Sequence, residues 1–280
     1  MRVISDLQET QQQCRNWRDK GESIAFVPTM GCLHEGHLSL VEEAKCQADR
    51  VVVSIFVNPL QFGENEDFSS YPRTVAEDQK KLLSCSPDLL FIPEASAFYP
   101  EGQENVAQID LGHITTILEG ANRPGHFAGV ATVVKRLFEL VQPNIAIFGE
   151  KDFQQLIVIR QLVEKFSLGI EIIGMPTCRA EDGLALSSRN TYLSPDERQV
   201  AAEIYRTLKW LKTELNSGNH KYNELEMSAI QKLENAGFVP DYVVIRDSES
   251  LLAAQQGEAE KVVLVAARLG KTRLIDNIRV

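Results

Sequence analysis

Two histidines three residues apart, His34 and His37, lie in Pro28-Thr29-Met30-Gly31-Cys32-Leu33-His34-Glu35-Gly36-His37, a segment that follows an apolar run and opens directly into a helical pattern. The first N–H groups of a helix lack intrahelical partners and the dipole is positive there, so two imidazoles on one face suit a phosphate. Gly36 lets backbone and ligand approach closely. By itself H-x-G-H fits two ordinary polar residues at a helix start equally well, and without a third ligand it is too small a set for zinc. Other segments carry related groups. Asn58-Pro59-Leu60-Gln61-Phe62-Gly63 offers amides to a polyol or carboxylate, although these residues are also turn formers. Glu119 to Phe127 joins Arg123 and His126 just before a helix. Gly149-Glu150-Lys151-Asp152 sets a lysine at a helix start beside an acid able to bond ribose hydroxyls or simply to favour the helix dipole. Leu184 to Asn190 holds Ser187, Ser188 and Arg189, two hydroxyls and a guanidinium that suit outer phosphates.

Short β-branched runs precede most of these segments: Ser23 to Pro28, Val51 to Val57, Asp88 to Ile92, Asn144 to Phe148 and Ile170 to Gly174. Their hydrophobicity is continuous, as in strands covered on both faces. Helical patterns over His37 to Ala48, Val75 to Ser84, Gly129 to Val141 and Asp152 to Phe166 alternate with them. This βαβ order predicts an α/β fold, a Rossmann-like doubly wound parallel sheet whose ligands sit beyond the carboxyl ends of its strands. After Pro176 the rhythm changes. Ser194-Pro195-Asp196-Glu197 is a strong helix start and predicts one long helix to about Leu215, followed by a helix over 223–236 and strands over 241–246, 261–267 and 272–278. The expected organisation is a domain over residues 1–176 and a smaller α+β domain over 177–280.

Twenty-nine Lys and Arg against 39 Asp and Glu give the 280-residue chain a formal charge of −10. No basic stripe is evident, so neither a nucleic acid nor an anionic membrane is an expected partner. An anionic ligand therefore needs a few positive groups gathered locally. No apolar run approaches the roughly 20 residues that span a bilayer, and the N-terminus does not read as a signal peptide. Five widely spaced cysteines without a C-x-x-C pair fit reduced thiols and a cytoplasmic setting. Gly270-Lys271-Thr272 ends like a P-loop, but Val265 stands where the first glycine belongs and the segment reads as a hairpin. G-x-G-x-x-G is absent, which leaves a nicotinamide or flavin dehydrogenase without a motif.

The H-x-G-H and the later Ser-Ser-Arg loop resemble the HIGH and KMSKS signatures of the nucleotidylyltransferase superfamily. PTMGCLHEGHLSLV, FVNPLQFG, YPRT, LEGANRPGHFAGVATVV, FGEKDFQQL and LSSRNTYLS, in this order, resemble the pantoate–beta-alanine ligase family over essentially the whole chain. The resemblance implies ATP-dependent condensation of pantoate with beta-alanine through a pantoyl adenylate, releasing AMP and pyrophosphate. It implies His34, His37 and Lys151 as catalytic residues, with His37 the proton donor. It places Met30, His34, His37, Gly149, Lys151, Asp152, Cys178, Leu186, Ser187, Ser188 and Arg189 at ATP, Gln61 and Gln155 at pantoate, and Gln61 also at beta-alanine. Glu77 and Asp78, after the YPRT segment, are expected on the magnesium side because a hard cation prefers carboxylates and phosphates. A homodimer is expected, with the second domain and the Phe62 to Pro72 loop acting as a lid. Leu186 departs from the methionine common in the family, a swap of similar volume. The competing reading is another nucleotidylyltransferase that moves a nucleotidyl group onto a phosphate acceptor.

Overall fold

The computed structural model describes residues 1–63, 66, 68–257 and 260–280. The chain forms two compact units, one of Met1–Glu150 with Gln154–Met175, the other of Lys151–Phe153 with Pro176–Val280. Against the expected division at 176/177, Lys151–Phe153 and Pro176 fall in the second unit.

The strands of the first unit are β1 (Arg2–Ile4), β2 (Ile24–Thr29), β3 (Arg50–Ile55), β4 (Leu89–Phe91), β5 (Ile145–Gly149) and β6 (Glu171–Met175). Its helices are α1 (Leu7–Arg18), α2 (Glu35–Gln47), α3 (Val75–Cys85), the single turns α4 (Ala95–Phe98) and α5 (Glu119–Asn122), and α6 (His126–Val141); α7 (Phe153–Lys165) begins in the second unit. The sheet is parallel throughout in the order β1-β4-β3-β2-β5-β6. From β2 the chain builds outward through β3 in one direction, and from β5 through β6 in the other. The β2–β5 junction is therefore the topological switch point, where the strand ends leave a crevice.

Continuous burial explains the apolar strands. Alternate residues, among them Ala25, Val27, Val51, Val53 and Ile147, face Leu40 and Val41 of α2 and Leu82 of α3. On the other face Phe138 of α6 meets Phe26 and Phe148 edge-on, with ring centroids 6.3 and 6.5 Å away. Helix α1 is polar except for buried Thr10, Cys14 and Trp17, with Asp6 accepting from the Glu9 amide at its start.

The second unit packs α8 (Pro195–Ala201), α9 (Glu203–Asn216) and α10 (Tyr222–Asn235) on an antiparallel sheet of β7 (Val239–Asp247), β8 (Lys261–Leu269) and β9 (Thr272–Arg279). Ser194 and Glu197 form the reciprocal cap expected of this helix start. The single long helix expected here is two: at Ala202 ψ is −11° and its N–H reaches the Val200 carbonyl, a turn tightened beyond α geometry. Gly270 and Lys271 are the two-residue turn of the β8–β9 hairpin. Among the described residues no helix is long and apolar enough to cross a membrane.

One close approach fixes where α6 meets the turn after β3. A Cβ on Gly129 would collide with the Leu60 carbonyl. Gly129→Ala is predicted to lower stability by about 1–3 kcal/mol, the range for overpacking, measured by urea denaturation.

Candidate active site

The segment after β2 turns through two successive residues at positive φ, Gly31 at 82° and Cys32 at 49°. Glycine takes this conformation freely and cysteine does not. What holds it is the carboxylate of Asp78 on α3, which accepts from the Cys32 amide at 2.9 Å and the Leu33 amide at 2.8 Å. Thr74 adds a hydroxyl bond at 3.3 Å, and Lys81, one turn along α3, donates to the Leu33 carbonyl at 2.6 Å. Asp78 is fully buried and Glu77 is exposed. Of the pair expected on the magnesium side, Asp78 is thus turned onto backbone while Glu77 faces outward. A carboxylate enclosed and spent on two backbone amides does not fit a cation, and among the described residues no three His, Cys, Asp or Glu side chains are grouped to hold a metal.

The anchored loop delivers both histidines to the start of α2. His34 is the N-cap, and its N–H donates to His37 Nδ1 at 3.3 Å. The two rings lie 4.1 Å apart. With Nδ1 as acceptor, a neutral His37 carries its proton on Nε2, so the ring offers a donor beside the positive helix end.

Gln61 is buried in the turn after β3. Its Oε1 accepts from Asn58 Nδ2 at 3.1 Å, and its Nε2 donates to Met30 Sδ at 3.0 Å. Asn58 is fixed in turn by the Gly129 carbonyl at 3.2 Å and by the Tyr99 hydroxyl at 2.8 Å. The amide is thereby oriented to present N–H, which suits an acceptor oxygen. The Gln61 carbonyl accepts from His126 Nδ1 at 2.8 Å, while His126 Nε2 faces Arg123 at 3.0 Å. Arg123 grips Glu66 through two bonds of 2.6 Å. Burial would raise the Glu66 carboxyl, but Arg123 outweighs it and holds the group below its usual range. Arg123 is thus paired with a carboxylate and supports the Gln61 turn. The Phe62 to Pro72 loop includes Glu64, Asn65 and Asp67, which lie outside the described residues.

Gln155 is half-buried on the first turn of α7. Beside it Gln154, which sequence reading passed over, donates to the Ile114 and Ile117 carbonyls at 2.8 and 2.9 Å and accepts from the Glu119 amide. Gly149 ends β5. In the second unit the Lys151 ammonium lies 3.8 Å from Asp152, and the Lys151 carbonyl accepts from Asn277 Nδ2 at 2.9 Å. Cys178 and Leu186 are brought together, the Leu186 amide donating to the Cys178 carbonyl at 2.9 Å. Ser187 caps the short turn that carries Ser188 and Arg189.

A family model described as pantoate-beta-alanine ligase matches residues 2–279. The chain belongs to the pantoate-beta-alanine ligase family. As a member it is a ligase that forms a carbon–nitrogen bond, and the family's product is pantothenate, made from pantoate and beta-alanine. It is 48% identical over 278 residues to the pantothenate synthetase of Aliivibrio fischeri (99% of this chain, 96% of that one). Identity to the Shewanella halifaxensis enzyme is 49% over 277 residues (99% and 98%). The crystal structure of the pantothenate synthetase from Thermus thermophilus matches with a TM-score of 0.93 at 45% identity, covering 99% of both chains. That of the Francisella tularensis ligase, complexed with beta-gamma ATP and beta-alanine, matches at 0.84 and 36%, covering 99% of this chain and 97% of that one. The doubly wound parallel sheet with a smaller α+β unit expected from sequence is found, as six parallel strands and a three-stranded antiparallel sheet, and it matches the pantothenate synthetase structures.

Two predictions come from the geometry. Asp78→Asn replaces one amide acceptor with a donor and is predicted to lower stability by about 1–3 kcal/mol, with no change in the magnesium concentration that half-saturates activity. Denaturation and a magnesium titration check both parts. The second concerns His126, whose pKa burial and the neighbouring Arg123 push down to about 4. Above pH 6.5 it is neutral folded or unfolded; as pH falls from there towards 4, the unfolded chain binds a proton that the folded chain refuses, so stability drops. The drop attributable to His126 is about 3 kcal/mol, and His126→Gln flattens it in unfolding free energies measured across that range.

Proposed function

We propose that the enzyme condenses pantoate with beta-alanine in two steps that consume ATP. In the first, a pantoate carboxylate oxygen attacks the α-phosphorus; the bond to the bridging oxygen breaks, giving pantoyl adenylate and pyrophosphate. In the second, the beta-alanine amine attacks the acyl carbon, the carbon–oxygen bond to phosphate breaks, and AMP leaves with loss of a proton from nitrogen. Neither step needs an enzyme nucleophile, so catalysis rests on positioning and on stabilising charge at the phosphoryl oxygens. The observation that carries this reading is the whole-length match to the family, supported by the beta-gamma ATP and beta-alanine named for the Francisella relative.

Within the proposal, His34 and His37 face the α- and β-phosphates at the N-terminus of α2, and His37, as the proton-donor side of the pair, gives its Nε2–H as a hydrogen bond to the leaving oxygen. Lys151 neutralises phosphate charge, Ser187, Ser188 and Arg189 hold the outer phosphates, and Met30, Gly149, Asp152, Cys178 and Leu186 line the nucleotide. Gln61 gives its N–H to pantoate and takes part in binding beta-alanine, and Gln155 holds pantoate beside it. Magnesium enters as the ATP complex, bound by the nucleotide's own phosphates. The second unit's task is to keep water from the acyl adenylate, and the enzyme works as a cytoplasmic homodimer.

ATP–pyrophosphate exchange tests the reading. Exchange that requires pantoate, with AMP released only on adding beta-alanine, is expected. Exchange without pantoate, or nucleotidyl transfer to a phosphate-bearing acceptor with none to pantoate, would replace this reading with that of another nucleotidylyltransferase.

A further inference from the structure

The second unit encloses an ion pair that none of the proposed ligand contacts uses. Arg179 meets the Asp276 carboxylate with both terminal nitrogens, at 2.6 and 2.9 Å, and the Asp276 side chain is only 3% exposed. A buried pair of this kind gives up hydration on both sides and is often no more stabilising than apolar packing, so its connections matter more than its own energy. They lead to two places. Arg179 donates to the Gly183 carbonyl at 3.2 Å, closing the turn between Cys178 and Leu186, and its guanidinium carbon sits 3.8 Å from the centre of the Tyr205 ring. Gly183, at a φ of 96°, is pressed so closely on Tyr205 that a Cβ would collide with that ring. On the other side, the Asn277 amide donates to Asp276 at 2.8 Å while its side chain donates to the Lys151 carbonyl at 2.9 Å.

We propose that Arg179, Asp276 and Asn277 are positioning residues that tie the Lys151 turn and the 178–190 segment to the single strand β9. The inference rests on the ATP reading above and deepens it by naming what holds the second unit's nucleotide-directed groups. Two segments separated in sequence, each bearing groups for the same polyphosphate, gain a common reference through one strand. The planar fork of Arg179 serves both ends, bonding the carboxylate bidentately while its remaining donor capacity reaches backbone carbonyls, which a lysine cannot reproduce. The Lys151 ammonium also lies near enough to favour the ionised form of Asp276, opposing the burial that raises its pKa.

The test uses the full chain and varies each substrate in turn. In Asp276→Asn and Arg179→Lys the KM for ATP is expected to rise about tenfold, the effect of a lost charge-assisted bond, with the KM values for pantoate and beta-alanine unchanged. Asn277→Ala, which keeps the ion pair and removes the side-chain bond to the Lys151 carbonyl, is expected to raise the ATP KM in the same selective way, and it carries the test if Asp276→Asn does not fold. Full rescue by Arg179→Lys, an unchanged ATP KM in folded Asn277→Ala, or an equal rise for all three substrates would overturn the proposal. Pyrophosphate exchange by the wild-type protein is measured first: its absence sinks the ATP reading itself, whereas its presence with unmoved variants sinks the positioning role alone.

Discussion

The bonds from the Asp78 carboxylate to the Cys32 and Leu33 amides are the constraint on which the first unit's site depends. To bring H-x-G-H into helical register at the end of β2, the chain turns through two residues at positive φ, and the second of them has a side chain. That conformation is unfavourable by about 1–2 kcal/mol for an L-residue. A fully buried carboxylate with two amide donors offsets it, and Lys81 secures the following carbonyl from the same helix. The same engagement occupies Asp78 with backbone amides. The position of α2, and with it the aim of both imidazoles, follows from a side chain more than forty residues further along the chain.

Charge is handled in a way that the net value of −10 does not suggest. Several arginines are occupied by carboxylates: Arg123 by Glu66, Arg50 by Glu22 and Asp88, Arg179 by Asp276. These pairs shape turns and strand ends and do not add a positive field. In the proposed reading, the first unit meets an anion through the start of α2 and through hydrogen-bond donors held in one orientation, His37 Nε2 and the Gln61 amide. Such fixed dipoles need little reorganisation as charge develops, which is the useful property in phosphoryl transfer. A neutral His126 is part of the same economy. It donates to the Gln61 carbonyl from Nδ1 and accepts from Arg123 at Nε2, an arrangement that only the neutral ring can make.

The parallel sheet was legible because strands buried on both faces leave continuous apolar runs, and their boundaries fall within a residue or two of the sequence reading. Helix α1 was not, because three buried residues in twelve give a polar helix little period to detect, and β1 has one buried residue in three. The break at Ala202 lies in an uninterrupted helical pattern with no glycine or proline to mark it. Within the proposed site, the residues read from sequence are those whose chemical type an anionic ligand would dictate: imidazoles, amides, a lysine, a Ser-Ser-Arg run. The residues that hold them were misread or missed, and for a physical reason. Asp78, Arg123, Gln154, Asp276 and Asn277 act on backbone or side-chain groups as much as 126 positions away. Their types are common ones, and what makes each useful is enclosure and bond direction. Both are properties of the folded chain: a carboxylate becomes an anchor only where its surroundings exclude water and supply amides, and the sequence around Asp78 contains neither the enclosure nor the two amides that it meets.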